Sequence, residues 1–306
     1  GSTGSIGKST LEIIKKDKKN FEVVLLTSNN NISELSKQVT EFNVLNICIN
    51  NKKHFETLKK KFKNKKINIF NSHENLNKII KSKIDFTMSS ISGLSGLKPT
   101  LDAIKFSKRI AIANKESIIC GWSLIKKDLK RFNTEFVPVD SEHFSIWSLI
   151  ANERYPKIEE VIITASGGPF LNLPLKNFQK IKPSIAIKHP NWTMGKKISI
   201  DSATMMNKVF EVIEAIRIFD IDIKKFKIVI HPKSYVHAIV KFSNGLTKVL
   251  IHDTDMKIPI FNSIYHNENK CLKTKKLDYS VLNKLDFQIC ELTRFPAIGL
   301  LKNISN

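Results

Sequence analysis

Along the first half of the chain, short runs rich in β-branched and aromatic residues alternate with longer stretches whose apolar positions recur at helical spacing. The runs are Phe21–Leu26, Val44–Ile49, Ile67–Phe70, Ile84–Met88, Arg109–Ala113 and Glu135–Val139. Between them, segments such as Ile32–Phe42 and Thr100–Phe106 read as helices. Strand, helix, strand repeated in this way predicts a parallel sheet covered by helices on both faces. After Pro138 the rhythm changes to loops, two prolyl turns and a helix over Ser202–Phe219. Ile228–Ile230 and Val236–Phe242 then read as paired strands, and Asn244-Gly245 as a hairpin turn leading into Leu246–Ile251. A lysine-rich stretch from Lys270 closes in what reads as the first turns of a helix. The expected fold class is α/β: a Rossmann-like parallel-sheet domain over residues 1–139, an α+β domain over 140–265, and a linker with the start of an incomplete helical region over 266–306.

Composition narrows this only a little. With 306 residues, 42% of them apolar and 11 of them glycine, the chain is neither a disordered polymer nor fibrous, and its length suits about two domains. Cys48, Cys120, Cys271 and Cys290 are far apart, with no CxxC, which argues against a disulfide scaffold or a zinc knuckle and for a reducing compartment. No apolar run approaches the roughly 20 residues of a membrane-spanning helix, and no secretory pattern opens the chain. A cytoplasmic protein without a membrane partner is expected. The net charge of +22 invites a nucleic-acid reading. Yet runs such as Lys59-Lys60-Lys61 are not interleaved with aromatics, and no nucleic-acid motif accompanies them. They read as solvated surface, with no specific nucleic acid implied, in a field that a small phosphorylated ligand would tolerate.

Gly1-Ser2-Thr3-Gly4-Ser5-Ile6-Gly7 is a Gly-x-x-Gly-x-x-Gly loop running into a helix at Lys8. Glycines let backbone approach a pyrophosphate, whose charge the helix N-terminus meets. Followed by the alternating sheet pattern, the loop points to a dinucleotide site. No strand precedes it, so a clipped or lost first strand is expected. The position about 20 residues on, where an NAD site carries a carboxylate, reads Thr27-Ser28-Asn29-Asn30-Asn31. A loop without a carboxylate accepts a 2′-phosphate and argues for NADP; a helix cap before Ile32 is the plain alternative.

Candidate chemistry clusters after the sheet ends. Asn114-Lys115-Glu116-Ser117 follows a strand at the edge where open α/β sheets bind ligands. Asp140-Ser141-Glu142-His143 follows another. In an extended chain Asp140 and Glu142 point the same way and can share an Mg²⁺ or Mn²⁺ ion; a helix cap with an acidic first turn explains them as well. The small-residue turn around Ser166 could hold a phosphate or be a bare turn. His189-Pro190-Asn191-Trp192-Thr193-Met194-Gly195 reads as a lid, or as a tryptophan anchored on the core. On the helix that follows, Asn207, Lys208 and Glu211 share one polar face. A surface salt bridge would account for the last two, and so would a third metal carboxylate beside a phosphate-binding lysine.

In this order and spacing, GSTGSIG, ANKES, PVDSEH, ASGGPF, HPNWTMGKKISIDSATMMNK and HPKS closely resemble the 1-deoxy-D-xylulose 5-phosphate reductoisomerase family, over nearly the whole chain. The resemblance implies an NADPH- and divalent-metal-dependent enzyme. It would form 2-C-methyl-D-erythritol 4-phosphate by a retro-aldol/aldol rearrangement followed by hydride transfer, in non-mevalonate isoprenoid synthesis. It places the Mg²⁺ or Mn²⁺ carboxylates on Asp140, Glu142 and Glu211. Substrate groups fall on Lys115, Ser141, Glu142, Ser166, His189, Ser202, Asn207, Lys208, Glu211 and Ser234, with Trp192 as the lid residue. Lys115, Asp140, Glu142, His189 and Glu211 carry the catalytic roles. NADPH contacts fall on Thr3, Gly4, Ser5, Ile6, Asn29, Asn30, Asn31, Asn114, Glu116 and Gly195. A small phosphorylated sugar as ligand, a homodimer, and a bacterial or endosymbiont-like cytosol (or a plastid-type organelle) follow from the same likeness. Asn30 stands where relatives carry a basic residue. The chain also stops near Arg294-Phe295-Pro296, where the family's C-terminal helical domain begins. Two rivals remain at this point. A generic NADP-dependent reductase would need a catalytic Cys–His or Lys pattern and no metal triad. A decayed homologue that binds NADPH without turnover fits the short ends but not the retained triad.

Overall fold

The computed structural model describes residues 1–73, 76–151, 157–192, 194–266, 268–283 and 285–304. Its strands are β1 (Leu26–Ser28), β2 (Asn46–Ile49), β3 (Asn68–Phe70), β4 (Ile84–Ser89), β5 (Ser107–Ile112), β6 (Glu135–Pro138), β7 (Ile158–Ala165), β8 (Phe226–Ile230), β9 (Val236–Phe242), β10 (Thr247–Ile251) and β11 (Gln288–Ile289). Its helices are α1 (Ser5–Lys16), α2 (Ile32–Phe42), α3 (Lys52–Lys61), α4 (Leu76–Ile79), α5 (Leu97–Ile104), α6 (Lys115–Phe132), α7 (Ser141–Ile150), α8 (Pro183–Ala186), α9 (Lys196–Ala203), α10 (Met206–Phe219), α11 (Lys257–Ile264) and α12 (Tyr279–Leu282). Two compact units result, one from Gly1–Val139 with Ile260–His266, the other from Asp140–Pro259 with the C-terminal stretch.

The first unit carries the predicted parallel strands as two three-stranded sheets, β1-β2-β3 and β4-β5-β6. β1, β2, β3 and β6 are shorter than the apolar runs that announced them. Pairing begins only at Leu26, because β2 offers partners to three residues of β1. The core under β1-β2-β3 joins Leu11 of α1, Leu35 and Val39 of α2 and Leu58 of α3 to Ile47 and Ile49. α1 opens at Ser5 rather than at Lys8, so Gly4 is its N-cap. Gly7 allows this: a Cβ there would lie 2.5 Å from the Gly1 carbonyl oxygen. The loop is tied to both sheets, by Ser2 N–H donating to Thr27 O (2.9 Å) and by Ser90 Oγ–H donating to Gly1 O (3.3 Å).

In the second unit the sheet order is β10-β9-β7-β8-β11. The expected pairing of Ile228–Ile230 with Val236–Phe242 is therefore corrected: β7 lies between them, parallel to β8 and antiparallel to β9. β7 alternates buried apolar residues, and Val161 and Ile163 meet Val212 and Ala215 of α10, Ala238 and Val240 in the core. A strand so apolar gains most from two neighbours. The short link 231–235 must then step over the end of β7, where His231 N–H donates to Ala165 O (2.7 Å). The hairpin at Asn244-Gly245 forms as predicted, with Gly245 at φ +87°. The helix expected over Ser202–Phe219 is two helices, α9 and α10, broken at Met205, which has φ 63°. The C-terminal stretch returns to this unit: β11 pairs with β8, and Phe295 is buried against Ala165, Met205 and Ile230.

Leu35 is fully buried between α1, α2 and the β1-β2-β3 sheet. Leu35→Ala should lower the unfolding free energy by about 2–5 kcal/mol through lost transfer energy and a residual cavity. Urea denaturation measures this, and a loss under about 1 kcal/mol would contradict the packing described.

Candidate active site

Asp140 keeps extended backbone, with φ −61° and ψ 140°. It is the N-cap of α7, with Oδ1 accepting from Glu142 N–H at 3.2 Å. The helix cap and the convergence on a cation, which the sequence presents as alternatives, are here one arrangement. Capping turns the Asp140 carboxylate toward the first turn of α7, where Glu142 lies. Glu211 joins them from the second turn of α10. Ligand atoms of the three carboxylates all lie within 4.8 Å of one another, and Glu142 and Glu211 are buried.

Lys208 completes the cluster. Its Nζ stands 2.6 Å from Glu142 Oε1 and 2.5 Å from Glu211 Oε2, with the residue itself buried. Burial alone would lower its pKa, but the charges and hydrogen bonds of Glu142 and Glu211 more than offset this and raise it above the ordinary lysine value. Three carboxylates against one ammonium leave a formal excess of negative charge, with Glu142 and Glu211 buried and Asp140 partly exposed. Such a remainder is costly unless a cation compensates it, and an all-oxygen donor set suits Mg²⁺ or Mn²⁺. Asn207 Nδ2 donates to Glu211 Oε1, while Asn207 Oδ1 is buried with no hydrogen-bond partner among the described residues. The donor set and this orphaned oxygen both fit a divalent ion with a bound ligand.

A second group of side chains gathers at the end of β7. His189 Nδ1 accepts from the N–H groups of Asn191 (3.1 Å) and Trp192 (3.0 Å), so the ring proton belongs on Nε2, 2.9 Å from Ser166 Oγ. Ser166 Oγ also accepts from Gly168 N–H at 3.0 Å. With both acceptor positions taken, the serine hydroxyl proton is left to donate outward. Burial, then the Lys208 charge, pushes the His189 pKa down to about 4, which keeps the ring neutral. Gly168 has φ +66°, and a Cβ there would lie 3.1 Å from Ser202 O, which brings Ser202 of α9 beside the Ser166 turn. Ser234, at φ 56°, is held by Asn191 Nδ2, which donates to its Oγ (2.9 Å) and to Pro232 O (2.6 Å). The other residues play smaller parts. Ser141 Oγ–H donates to Glu142 Oε2 (2.6 Å), and half-buried Trp192 meets His237 edge to face. Thr193, within the lid string, lies outside the described residues.

The dinucleotide candidates belong to the first unit, apart from Gly195, which N-caps α9. Thr3 Oγ1 lies 3.0 Å from Ser28 Oγ, and Gly4, Ser5 and Ile6 form the entry to α1. Asn29 and Asn30 are exposed. Asn31 caps α2 through Glu34 N–H, and Asn30 Oδ1 accepts from Asn51 Nδ2. Asn114 spends both ends of its amide on the protein: Oδ1 accepts from Ser117 N–H, and Nδ2 donates to the carbonyls of Ile91 and Gly93. Lys115 and Glu116 follow in the first turn of α6.

Sequence reasoning missed four residues around these two groups. His143 Nε2 donates to Glu211 O (2.8 Å), tying α7 to α10. Asn191 ties the lid string to the 231–235 link. His237 and His252 stack with ring centroids 3.7 Å apart, and burial lowers both pKa values. The first two stand inside motif strings and could have been found there. The stacked pair occupies ordinary strand and strand-end positions, which carry no signal.

A parallel-sheet unit with a glycine loop, followed by a unit built around buried carboxylates, defines the class: a nucleotide-dependent, metal-assisted α/β oxidoreductase. Residues 1–121 match the family model of 1-deoxy-D-xylulose 5-phosphate reductoisomerase, and residues 136–219 that of its C-terminal domain. The 1-deoxy-D-xylulose 5-phosphate reductoisomerase of Pelagibacter ubique (strain HTCC1062) is 60% identical over 100% of this chain and 79% of its own length. That of Wolbachia pipientis wMel is 38% identical over 100% of this chain and 78% of its own. Among solved structures, the Zymomonas mobilis enzyme in complex with NADPH superposes with TM-score 0.89 at 34% identity, covering 99% of this chain and 79% of that one. A reductoisomerase in complex with NADPH, fosmidomycin and magnesium gives 0.91 at 34% identity, covering 99% and 77%. The chain belongs to the 1-deoxy-D-xylulose 5-phosphate reductoisomerase family.

The His189 hydrogen bonds generate a pH prediction. A neutral ring with a folded pKa of about 4 against an unfolded value near 6.5 contributes stability above pH 6.5 that is lost as pH falls toward 4. In an NMR titration the His189 ring should show no midpoint between pH 6 and 8 and should begin to titrate only below about pH 5. A midpoint near 6.5 would break the assigned hydrogen bonds.

Proposed function

We propose that this chain converts 1-deoxy-D-xylulose 5-phosphate to 2-C-methyl-D-erythritol 4-phosphate, with NADPH and a divalent metal, in non-mevalonate isoprenoid precursor synthesis. The observation that carries the reading is the convergence of Asp140 with buried Glu142 and Glu211 beside Asn207 and Lys208, in a chain with these family matches. When bound at the carboxylates, Mg²⁺ or Mn²⁺ supplies Lewis acidity toward neighbouring substrate oxygens. NADPH, on the Thr3–Ile6 loop, supplies the hydride.

The remaining work falls to side chains. Ser166, Ser202, Asn207 and Lys208 are assigned to the substrate phosphate. The outward hydroxyl of Ser166 donates to it, and binding energy at this remote group fixes the reacting end. Neutral His189 holds Ser166 in that role through Nε2–H and anchors the Trp192 segment through Nδ1. Trp192 excludes water above the site. Ser141 and Ser234 supply further hydroxyls to substrate, and Lys115, at the start of α6, supplies a positive charge. Asn29, Asn30, Asn31, Asn114, Glu116 and Gly195 are assigned to the cofactor, Asn114 as the brace of its loop. A small phosphorylated sugar as ligand, a homodimer as assembly and the bacterial cytosol as setting complete the reading.

Two experiments test it. Following NADPH absorbance with deoxyxylulose phosphate and Mg²⁺ should give turnover, with NADPH preferred to NADH. Asn30→Lys should tighten NADPH a few-fold, as suits an exposed ion pair worth about 0.5–1 kcal/mol. Equal efficiency with both cofactors would contradict the carboxylate-free loop as the selector. Glu211→Gln keeps size and removes charge. It should raise the metal concentration for half activity by about tenfold or more and cut turnover, with NADPH affinity unchanged. Unaltered rate and metal dependence would retire the triad.

A further inference from the structure

Lys208 has two assignments that it cannot fill at once. Its ammonium lies between Glu142 and Glu211, within 2.6 Å of each, where a divalent cation would take its ligands. The same ammonium is assigned to the substrate phosphate. The side chain is 9% exposed, so it has no solvent in which to wait between partners. A buried ammonium needs an anion beside it in every state. A dication seated on Glu142 and Glu211 both repels the ammonium and takes its acceptors.

We propose that Lys208 is the internal cation of the metal-free site. It passes from Glu142 and Glu211 to the phosphate when metal enters, so metal and phosphate bind with positive coupling. The inference rests on the metal-and-phosphate reading of this site and adds to it a thermodynamic link. Metal displaces the ammonium easily only when an anion is there to receive it. A phosphate draws the ammonium only by leaving behind carboxylates that call for a cation. The geometry supports the transfer. Asn207 holds Glu211 through Nδ2, so the carboxylate need not move when the lysine leaves. Its Oδ1 is buried without a hydrogen-bond partner among the described residues, one further acceptor for a donor entering the same space. His143 fixes the backbone carbonyl of Glu211 from α7. The acids are braced, and the lysine, on four rotatable methylenes, is the mobile member.

Linkage requires that phosphate raise metal affinity by the same factor by which metal raises phosphate affinity. The test measures Mn²⁺ binding by electron paramagnetic resonance, without turnover. The phosphate probe is n-propyl phosphate, a phosphomonoester with no adjacent oxygens to chelate the ion, and free Mn²⁺ is corrected for its weak complex. In the wild-type chain, saturating n-propyl phosphate should tighten Mn²⁺ by about fivefold or more, the range of ordinary site–site coupling. Lys208→Met removes the competitor, so it should tighten Mn²⁺ by a similar factor in the absence of phosphate, and added phosphate should then change little. Lys208→Arg, which keeps the charge, should retain part of the coupling if Met at this position disturbs folding. Lys197→Met, which removes an exposed cation paired with Asp201 outside the carboxylate cluster, should leave the coupling intact.

Mn²⁺ affinity in the wild type that ignores n-propyl phosphate would overturn the proposal. So would a Lys208→Met chain that binds Mn²⁺ no more tightly than wild type. Coupling of full size in Lys208→Met would overturn it too, since attraction between phosphate and ion would then suffice. A single Mn²⁺ site lost in Glu211→Gln upholds the metal reading whichever way the coupling falls. Mn²⁺ binding that survives Glu211→Gln unchanged would overturn both together.

Discussion

Confining unlike charges away from water is the constraint to which the second unit is built. Two buried glutamates, a capping aspartate and a buried lysine would be a liability in an unorganised core, because each ion forfeits its hydration. The surrounding elements read as means of making that loss tolerable. α7 offers Asp140 its own first-turn amide. α10 presents Asn207 and Lys208 from its first turn and Glu211 from its second, on one face. His143 spans the two helices, so that the acids stay where the lysine meets them. Removing Lys208 would leave these carboxylates without their ammonium partner.

The sheet below serves the same end by topology. Since β7 takes the place between β8 and β9, the 231–235 link has to cross its end, where the Ser166 turn also emerges. Asn191 then spans from the lid string to that link. Three segments remote in sequence therefore meet at one strand end. Small residues make the meeting close enough: Gly168 lets the Ser166 turn lie against Ser202 and Ala203 without a Cβ in the way.

Much of this was legible in the residues. The parallel alternation of the first unit was written in its apolar runs, and the hairpin in Asn244-Gly245. The chemistry stood out because strings such as DSATMMNK and HPNW, in their order and spacing, resemble those of one family. Three things were hidden. Strand order was one, because the β8 and β9 runs carry nothing to say that a third strand enters between them. The helix break at Met205 was another, since no glycine, proline or asparagine marks it. The third was the state of Lys208: spacing placed it beside Glu211, but its hold on Glu142 depends on a contact 66 residues away in sequence.

That break also constrains what can stand at position 205. The backbone there has φ 63°, a conformation in which a side chain is strained and glycine is at ease. The side chain, however, is 2% exposed and fills a core with Ala165, Ile230 and Phe295. Glycine would relieve the backbone and empty the core; a β-branched residue would fill the core and worsen the backbone. Few residues answer both demands, and the start of the helix that carries Asn207, Lys208 and Glu211 hangs from this one. Drift at this position is thus shut in from two sides, by torsion and by volume, although its side chain meets no polar group of the site.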